Sequence, residues 1–267
     1  MTRDLPTFDT VRVVEHADHV VELVLDRPDA MNAVSTALAE DLAAATRHLA
    51  ADLGVRAVVV TSSNAKAFCV GADLKERNSF TDADLVAQRP RARAAYTGVL
   101  ELPMPVIAAV DGYAFGGGLE IALSADLIVA GEGVTVGLTE VSVGVIPGGG
   151  GTQLLTRRVG YATAANLVLR ARRIDAATAL RLGVVDEVVP ADTARDAALA
   201  WAGEIAAHSP VGTRNAKKAM RLGLDTDLRA GLEIEDACWR ATAFSPDRAE
   251  GVAAFAEKRA PRWPGLG

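Results

Sequence analysis

Residues 106–130, VIAAVDGYAFGGGLEIALSADLIVA, decide the architecture of this chain. Two short apolar runs, VIAAV (106–110) and LIVA (127–130), have the unbroken hydrophobicity of strands buried on both faces of a parallel sheet. Between them the spacing predicts a helix from Gly116 to Ser124, entered through three consecutive glycines. Glu120 lies inside that helix among Leu119, Ile121, Ala122, Leu123 and Ala125, which cover nearly every side of it. An ionised carboxylate buried without partners would be strongly destabilising. Glu120 therefore either has a structural partner or lines a site.

The same strand and helix alternation extends outward. VRVVEHADHVVELVL (11–25) reads as two valine-rich strands around an Ala17-Asp18 turn. Ser35 reads as an N-cap before Leu38, Leu42, Ala45 and Leu49 at helical spacing, with Gly54 closing the segment. RAVVVTSS (56–63) is a further buried strand. This pattern predicts an α/β layer architecture with right-handed crossovers. From about Asp175 onward helices dominate, near 192–207, 212–221, 228–243 and 247–258. VVDEVV (184–189) is the exception, and Pro210, Gly223 and Ser245-Pro246 are the breaks. The expected division is a core over 1–200 and a helical region over 201–267.

With 267 residues, 50% of them hydrophobic, the chain can bury a substantial core. A net charge of −6 and a pI near 5.3 argue against nonspecific nucleic-acid binding. Cys69 and Cys238 are too few for a disulfide framework and lack zinc-site spacing, so a reducing compartment, the cytoplasm, is expected. MTRDLPTFDT has no apolar stretch of signal-peptide length, and no later run approaches the roughly 18 apolar residues of a membrane span. The expectation is a soluble protein without a membrane partner.

Three glycine-containing loops carry the chemistry. AKAFCVGADLKE (65–76) and DGYAFGGGLE (111–120) each follow a buried strand, delivering backbone to the carboxyl end of a sheet where ligands gather in α/β folds. Peptide N–H groups near Gly71-Ala72 and Gly117 could converge on one oxygen as an oxyanion hole, helped by the positive end of the helix starting at Gly117. Either loop alone is equally well explained as a tight turn. EVSVGVIPGGGGTQLL (140–155) adds Glu140 at the mouth of a costly glycine run. Alone, Glu140 reads as a solvated turn carboxylate. Two carboxylates beside an oxyanion hole suit the gain or loss of a proton and a hydroxyl at a double bond conjugated to a carbonyl.

Other motifs fail. No dinucleotide fingerprint follows a strand, the 148–151 glycines lack a P-loop lysine, and no G-x-S-x-G elbow occurs. His16, His19, His48 and His208 read as surface or isolated residues, and Cys69 as a small packed side chain.

FCVGADLKE, VDGYAFGGGLEIALSAD and TEVSVGVIPGGGGTQLLTRRVG together resemble the signatures of the crotonase superfamily, the enoyl-CoA hydratase and isomerase family. LDRPDAMNAVS (25–35), ALRLGVVDEVV and AEGVAAFAEKR (249–259) extend the resemblance over roughly 10–260. It implies an α/β fold of the ClpP/crotonase type, a spiral of repeated β-β-α units, with a C-terminal helical region that assembles a homotrimer or a hexamer of two trimers. It assigns the oxyanion hole to the N–H groups of Ala72 and Gly117 and the acid-base pair to Glu120 and Glu140. Glu140 would handle the α-proton while Glu120 positions water. Coenzyme A contacts would come from Ala30, Met31, Gly71, Asp73, Leu74 and Gly116, with basic side chains from Arg27, Lys66 and Lys75. Trp239 and Lys258 would reach the ligand from a neighbouring subunit.

Keeping both glutamates favours hydration of a 2-enoyl-CoA to a 3-hydroxyacyl-CoA, as in fatty acid β-oxidation. No metal and no separate cofactor is implied, because coenzyme A is part of the substrate. Double-bond isomerisation is the alternative reaction, and a noncatalytic acyl-CoA-binding trimer is the alternative of another class. Ala171 stands where the family commonly has glycine, and the polar, arginine-rich segment 77–98 is expected to form a mobile wall of the acyl pocket.

Overall fold

Strand, strand, helix is the repeating unit of the chain, and the repeats after the first hairpin feed two sheets at once. The computed structural model describes residues 5–17 and 19–266. The first hairpin is β1 (Val11–Glu15) antiparallel to β2 (Val20–Leu25); of its expected Ala17-Asp18 turn, Asp18 lies outside the described residues. α1 (Thr36–Ala51) follows, its first turn capped by Ser35 Oγ, which accepts from the Leu38 N–H at 3.2 Å. The repeats then run β3 (Ala57–Ser62), β4 (Ala67–Cys69), α2 (Leu74–Arg77) and α3 (Asp82–Leu100). Next come β5 (Val106–Val110), β6 (Tyr113–Phe115) and α4 (Gly117–Ser124). β7 (Leu127–Gly131) and β8 (Thr135–Gly137) lead through a 3-10 turn (Glu140–Val143) into α5 (Gly151–Val159) and α6 (Tyr161–Val168). β9 (Ile174–Asp175), α7 (Ala176–Leu182) and β10 (Glu187–Val189) close the spiral.

The six-stranded sheet has the order β1-β2-β3-β5-β7-β10 and the four-stranded sheet β4-β6-β8-β9; the pairs β3/β4, β5/β6 and β7/β8 each send their first strand to the larger sheet and their second to the smaller. Pairing is parallel except for the β1–β2 hairpin and β8–β9. The strand and helix alternation read from 106–130 is that of an α/β architecture, as expected, and it takes the spiral form that the resemblance implied.

Alternate residues of the large sheet serve two cores, as the strand period of two requires. Val58, Val60, Val106 and Ala108 face the main core with α1, α3 and α4. Val59, Ile107, Ala109 and Val129 face the other side, covered by α8 (Ala194–Ala206). α8 presents Ala194, Ala198, Ala202 and Ala206, a four-residue stripe of small side chains that lies flat on the sheet. The boundary expected at residue 200 falls inside α8, which packs on the sheet along its whole length. Glu22 on β2 anchors this side: Arg195 on α8 donates to it twice at 2.7 Å, Thr61 once at 2.8 Å, and His16 lies 2.8 Å away. Burial alone would raise the Glu22 carboxyl, but the Arg195, His16 and Thr61 contacts outweigh it and hold it near 2.

The segment expected to form a mobile wall is helical from Asp82 on. Thr81 and Asp84 form a capping box at the start of α3, which continues through Pro90 and buries Ala92, Ala95, Tyr96 and Val99 against α1 and the main core. Gly98 sits where any Cβ would collide with Thr46 Oγ1 of α1, so the two helices approach closely. Ala171 adopts φ 47°, a left-handed backbone that glycine would accept without strain.

The C-terminal helices are α9 (Pro210–Gly223), α10 (Leu228–Ala243) and α11 (Pro246–Glu257). α9 is tied to the core by Lys217, which donates to the Met104 carbonyl at 2.8 Å and pairs with Asp126 at 2.7 Å. Leu228, Leu232, Trp239, Phe244 and Phe255 leave apolar surface exposed on α10, α11 and the turn between them.

Candidate active site

The site begins with the chain between β2 and α1. A tight 3-10 turn at Pro28–Ala30 is followed by left-handed Met31 (φ 47°) and Asn32 (φ 53°). Asn32 is fully buried, donating to Ser62 Oγ at 2.7 Å and to the Phe68 carbonyl at 3.0 Å while accepting from the Arg27 N–H. The segment holds the first glycine loop along its length: Val70 N donates to Met31 O, Val34 N to Gly71 O, and Asp73 N to Val34 O. Residues on either side of Ala72 are therefore engaged by backbone, and its own N–H has no acceptor among the described residues.

The second loop meets the first at Gly71 and Gly117. Gly71 has φ 93° and lies against the Phe115 carbonyl, with the Gly117 nitrogen 3.3 Å from where its Cβ would stand. Gly118 presses on the Cys69 carbonyl so closely that no side chain fits. Gly117 opens α4, so its N–H is one of the helix's unpaired donors, and it has no acceptor among the described residues. Two free peptide donors are thus carried by loops that touch at Gly71 and Gly117, the second of them at the positive end of a helix.

One turn into α4, Glu120 is 2% exposed. Its Oε1 accepts from the Gly149 N–H at 2.7 Å and the Gly151 N–H at 2.8 Å. This explains the 148–151 glycine run: a Cβ at Gly149 would stand 2.8 Å from Glu120 Oε2, and one at Gly151 2.9 Å from Oε1. Burial raises the Glu120 carboxyl above the ordinary range, partly offset by the Gly151 and Gly149 amides and by the charges of Arg89 and Arg77. Glu140 opens the 3-10 turn after β8 and faces Gly116, whose Cβ would stand 3.0 Å from Glu140 Oε1. Its Oε2 is buried with no hydrogen-bond partner among the described residues. Burial, with a smaller contribution from the Glu120 charge, pushes its pKa up to about 7.

Tyr96 of α3 completes this neighbourhood and was not identified from the sequence. Its ring packs where a Gly149 side chain would go, and its Oη sits where a Gly117 side chain would go. Burial and the nearby Glu120 push its hydroxyl pKa upward, so it stays protonated. The arrangement offers two amides for a developing oxyanion, a carboxyl able to carry a proton at neutral pH, and a second, amide-clamped carboxylate.

Glu120, Glu140, Ala72, Gly71, Gly116 and Gly117 are brought together. Ala30 and Met31 border the same loop. Arg27 and Asp73 engage each other: Arg27 Nη1 donates to Asp73 Oδ2 at 2.6 Å and to the Ala33 carbonyl at 2.9 Å. Asp73 also caps α2, accepting from the Lys75 and Glu76 N–H groups, so its carboxylate is fully used. Leu74, Lys66 and Lys75 are exposed. Trp239 lines a groove between α9 and α10, and Lys258 ends α11 in a left-handed conformation (φ 54°); the contacts around the glutamates include neither. Two cavities, of about 710 Å³ and 800 Å³, lie along α9, away from the glutamates.

The sequence model of the enoyl-CoA hydratase/isomerase family matches residues 15–265. The chain belongs to that family. The enoyl-CoA hydratase domain-containing protein 2, mitochondrial, of Mus musculus is 39% identical over 250 residues, covering 92% of this chain and 84% of that protein. The mitochondrial methylglutaconyl-CoA hydratase of Rattus norvegicus is 39% identical over 269 residues, covering 98% and 85%. A crystal structure of an enoyl-CoA hydratase from Bacillus anthracis superposes with a TM-score of 0.94 at 38% identity, covering 97% of this chain and 100% of that one. The crotonase-type fold is therefore that of this family member, and an acyl-CoA ligand is consistent with its family. No helix among the described residues is long and apolar enough to cross a membrane.

Proposed function

We propose that this crotonase-family protein is an enoyl-CoA hydratase, adding water across the double bond of a 2-enoyl-CoA. The observation that carries this reading is the meeting of two acceptor-free amides, Ala72 and Gly117, with two carboxyls of raised pKa, buried Glu120 and half-buried Glu140. The thioester oxygen accepts from both amides. Glu120 as carboxylate takes a proton from water, whose hydroxide adds to C3; the π electrons shift onto the thioester oxygen as an enolate. Glu140 as carboxylic acid then gives its proton to C2, and the enolate returns to the carbonyl. The product is a 3-hydroxyacyl-CoA, and proton transfer from Glu120 to Glu140 resets the pair. A carboxyl that titrates near 7 suits a group that must hold a proton at neutral pH.

Met31, Gly71, Gly116 and the exposed Lys66, Leu74 and Lys75 are the proposed coenzyme A contacts of one chain. A homotrimer, or a hexamer of two trimers, is proposed from the exposed apolar side chains of α10 and α11, and would bring Trp239 and Lys258 to a neighbour's ligand. Two buried free cysteines suit a reducing compartment such as the cytoplasm. A reaction of the β-oxidation type is the proposed setting.

Incubation with crotonyl-CoA, followed by loss of the conjugated thioester absorbance and mass spectrometry of the product, tests this. A gain of one water supports hydration; an isomeric product of unchanged mass replaces it with isomerisation; tight binding without turnover replaces it with a binding protein.

A further inference from the structure

α4 carries its chemistry at its N-terminal end, where Gly117 supplies an amide and Glu120, one turn later, a carboxyl. That end cannot be tied down in the ordinary way. Gly116 offers no capping side chain, and the Gly117 N–H has to stay unspent if it is to receive the thioester oxygen. All eight residues of α4 are buried, which holds the helix from the sides. Apolar contacts are non-directional, so its position along its own axis falls to hydrogen bonds at the other end.

Half-buried Arg221 of α9 supplies them. Its Nη2 donates to the carbonyl of Ser124, the last residue of α4, at 3.3 Å, and to that of Ala125, the C-cap, at 3.1 Å. The final carbonyls of a helix have no partner within it, and a cation complements the negative end of its dipole. The same guanidinium grips the next residue, Asp126, whose Oδ1 accepts from Nε at 3.2 Å and from Nη2 at 2.9 Å. Asp126 Oδ2 is held by Lys217 Nζ at 2.7 Å and by the Val106 N–H at 2.8 Å. The end of α4, the start of β5 and α9 therefore meet at one carboxylate. A lysine in place of Arg221 would keep the charge but lose the planar fork of separate nitrogens that reaches these acceptors together.

From Ser124 the connection to the reaction centre is short. Its Oγ donates to the Glu120 carbonyl at 2.8 Å, and Gly117 lies only about two helical turns away. No hinge interrupts those turns, so a shift at the Ser124 end moves the Gly117 amide and Glu120 with it.

Resting on the hydratase reading above, we propose that Arg221 is a positioning residue for the reaction. Through the Ser124 and Ala125 carbonyls it sets where the Gly117 amide and Glu120 stand against the thioester. Arg221 acts through α4 and not on the substrate. A misplacement of about 1 Å can cost about 100-fold in rate, so a small displacement of α4 is enough.

The test reads turnover apart from stability. Arg221→Gln, assayed on crotonyl-CoA well below its melting temperature, is expected to lower kcat about 10- to 100-fold while KM moves less than about threefold. Arg221→Lys is expected to fall between it and the wild type. Lys218→Gln, an exposed position on the same helix, is expected to turn over like the wild type. A merely structural role would lower Tm and leave kcat per folded molecule unchanged in Arg221→Gln, and that result overturns the proposal. An equal loss in Lys218→Gln also overturns it, because the charge of α9 and not the grip on α4 would then be responsible. If Arg221→Gln does not fold, Arg221→Lys carries the test, and wild-type kcat there overturns the proposal.

The absorption maximum of bound cinnamoyl-CoA needs no turnover, because it moves to longer wavelength as amide donors polarise the thioester carbonyl. The wild type is expected to shift it, and Arg221→Gln to shift it less at saturating ligand. A smaller shift in the variant, with no hydration by the wild type, leaves the positioning role standing while the hydratase reading falls. A full shift in Arg221→Gln overturns the positioning role and leaves the hydratase reading intact. A wild type that neither hydrates crotonyl-CoA nor shifts the spectrum overturns both.

Discussion

Replacing Glu140 with glutamine separates a reacting carboxyl from a structural one, because the two roles predict opposite changes in stability. Folding moves the Glu140 pKa from 4.5 to about 7, chiefly by burial, and its Oε2 finds no partner. The folded state therefore holds the Glu140 proton more tightly than the unfolded chain does. This favours folding fully only below about 4.5, and the advantage is lost as pH rises through about 7. At about 1.36 kcal/mol per pH unit the ionised group would cost about 3 kcal/mol above neutrality, and partial solvent exposure roughly halves this to about 1.5 kcal/mol. Glu140→Gln removes that cost. Its melting temperature is expected to exceed the wild type by about 3 °C near pH 8, with the gain shrinking toward pH 5. Hydration of a 2-enoyl-CoA is expected to fall about 100- to 10,000-fold in the same variant. Calorimetric melting across this pH range, beside single-substrate kinetics, supplies both readouts. A variant that melts below the wild type at every pH, or that keeps near-wild-type turnover, refutes the assignment of Glu140 as a strained proton donor.

Other perturbations probe the neighbouring parts. Gly117→Ala drives a methyl group into Tyr96 Oη and is expected to cost about 100- to 1000-fold in turnover; adding Tyr96→Phe makes room and should recover at least about tenfold, measured as kcat at saturating substrate. Asn32→Ala loses the bonds to Ser62 Oγ and Phe68 O at a left-handed position, for an expected loss of about 2–4 kcal/mol in denaturant unfolding together with a weakened oxyanion loop. Glu22→Gln acts in the opposite pH sense to Glu140: its folded pKa is held near 2, so its contribution is present above 4.5 and lost as pH falls toward 2. That variant should be destabilised at neutral pH, with the gap to wild type narrowing on acidification. The pH profile of kcat/KM for hydration should descend on the alkaline side near 7, as Glu140 gives up the proton it must donate.

Glu120 and the glycine loops were legible because each violates a simple expectation, a charge inside an apolar helix and glycine where entropy disfavours it; Glu140, unremarkable alone, stood out only beside Glu120. Their convergence follows from the spiral, which stacks β4, β6 and β8 side by side and so aligns the loops that follow them. What the sequence concealed were contacts between distant residues. Nothing local marks Arg27 and Asp73, 46 positions apart, as an ion pair, and so both were expected to face ligand. Tyr96 was hidden because charges and Pro90 mask the helical period of α3, whose buried side is narrow. α8 was read as partly outside the core because an alanine stripe carries a weak hydrophobic signal, although alanine is what permits close approach to the sheet. Ala171 was legible as a departure from a glycine position, and its left-handed backbone shows why glycine suits it.

The most direct measurement is a crystal structure of the protein with a bound 3-hydroxyacyl-CoA. The thioester oxygen should accept hydrogen bonds from both the Ala72 and Gly117 amides, with the C2 and C3 carbons between Glu140 and Glu120. A thioester held instead in the cavity along α9, or an oxygen that reaches neither amide, would contradict the proposed reaction centre.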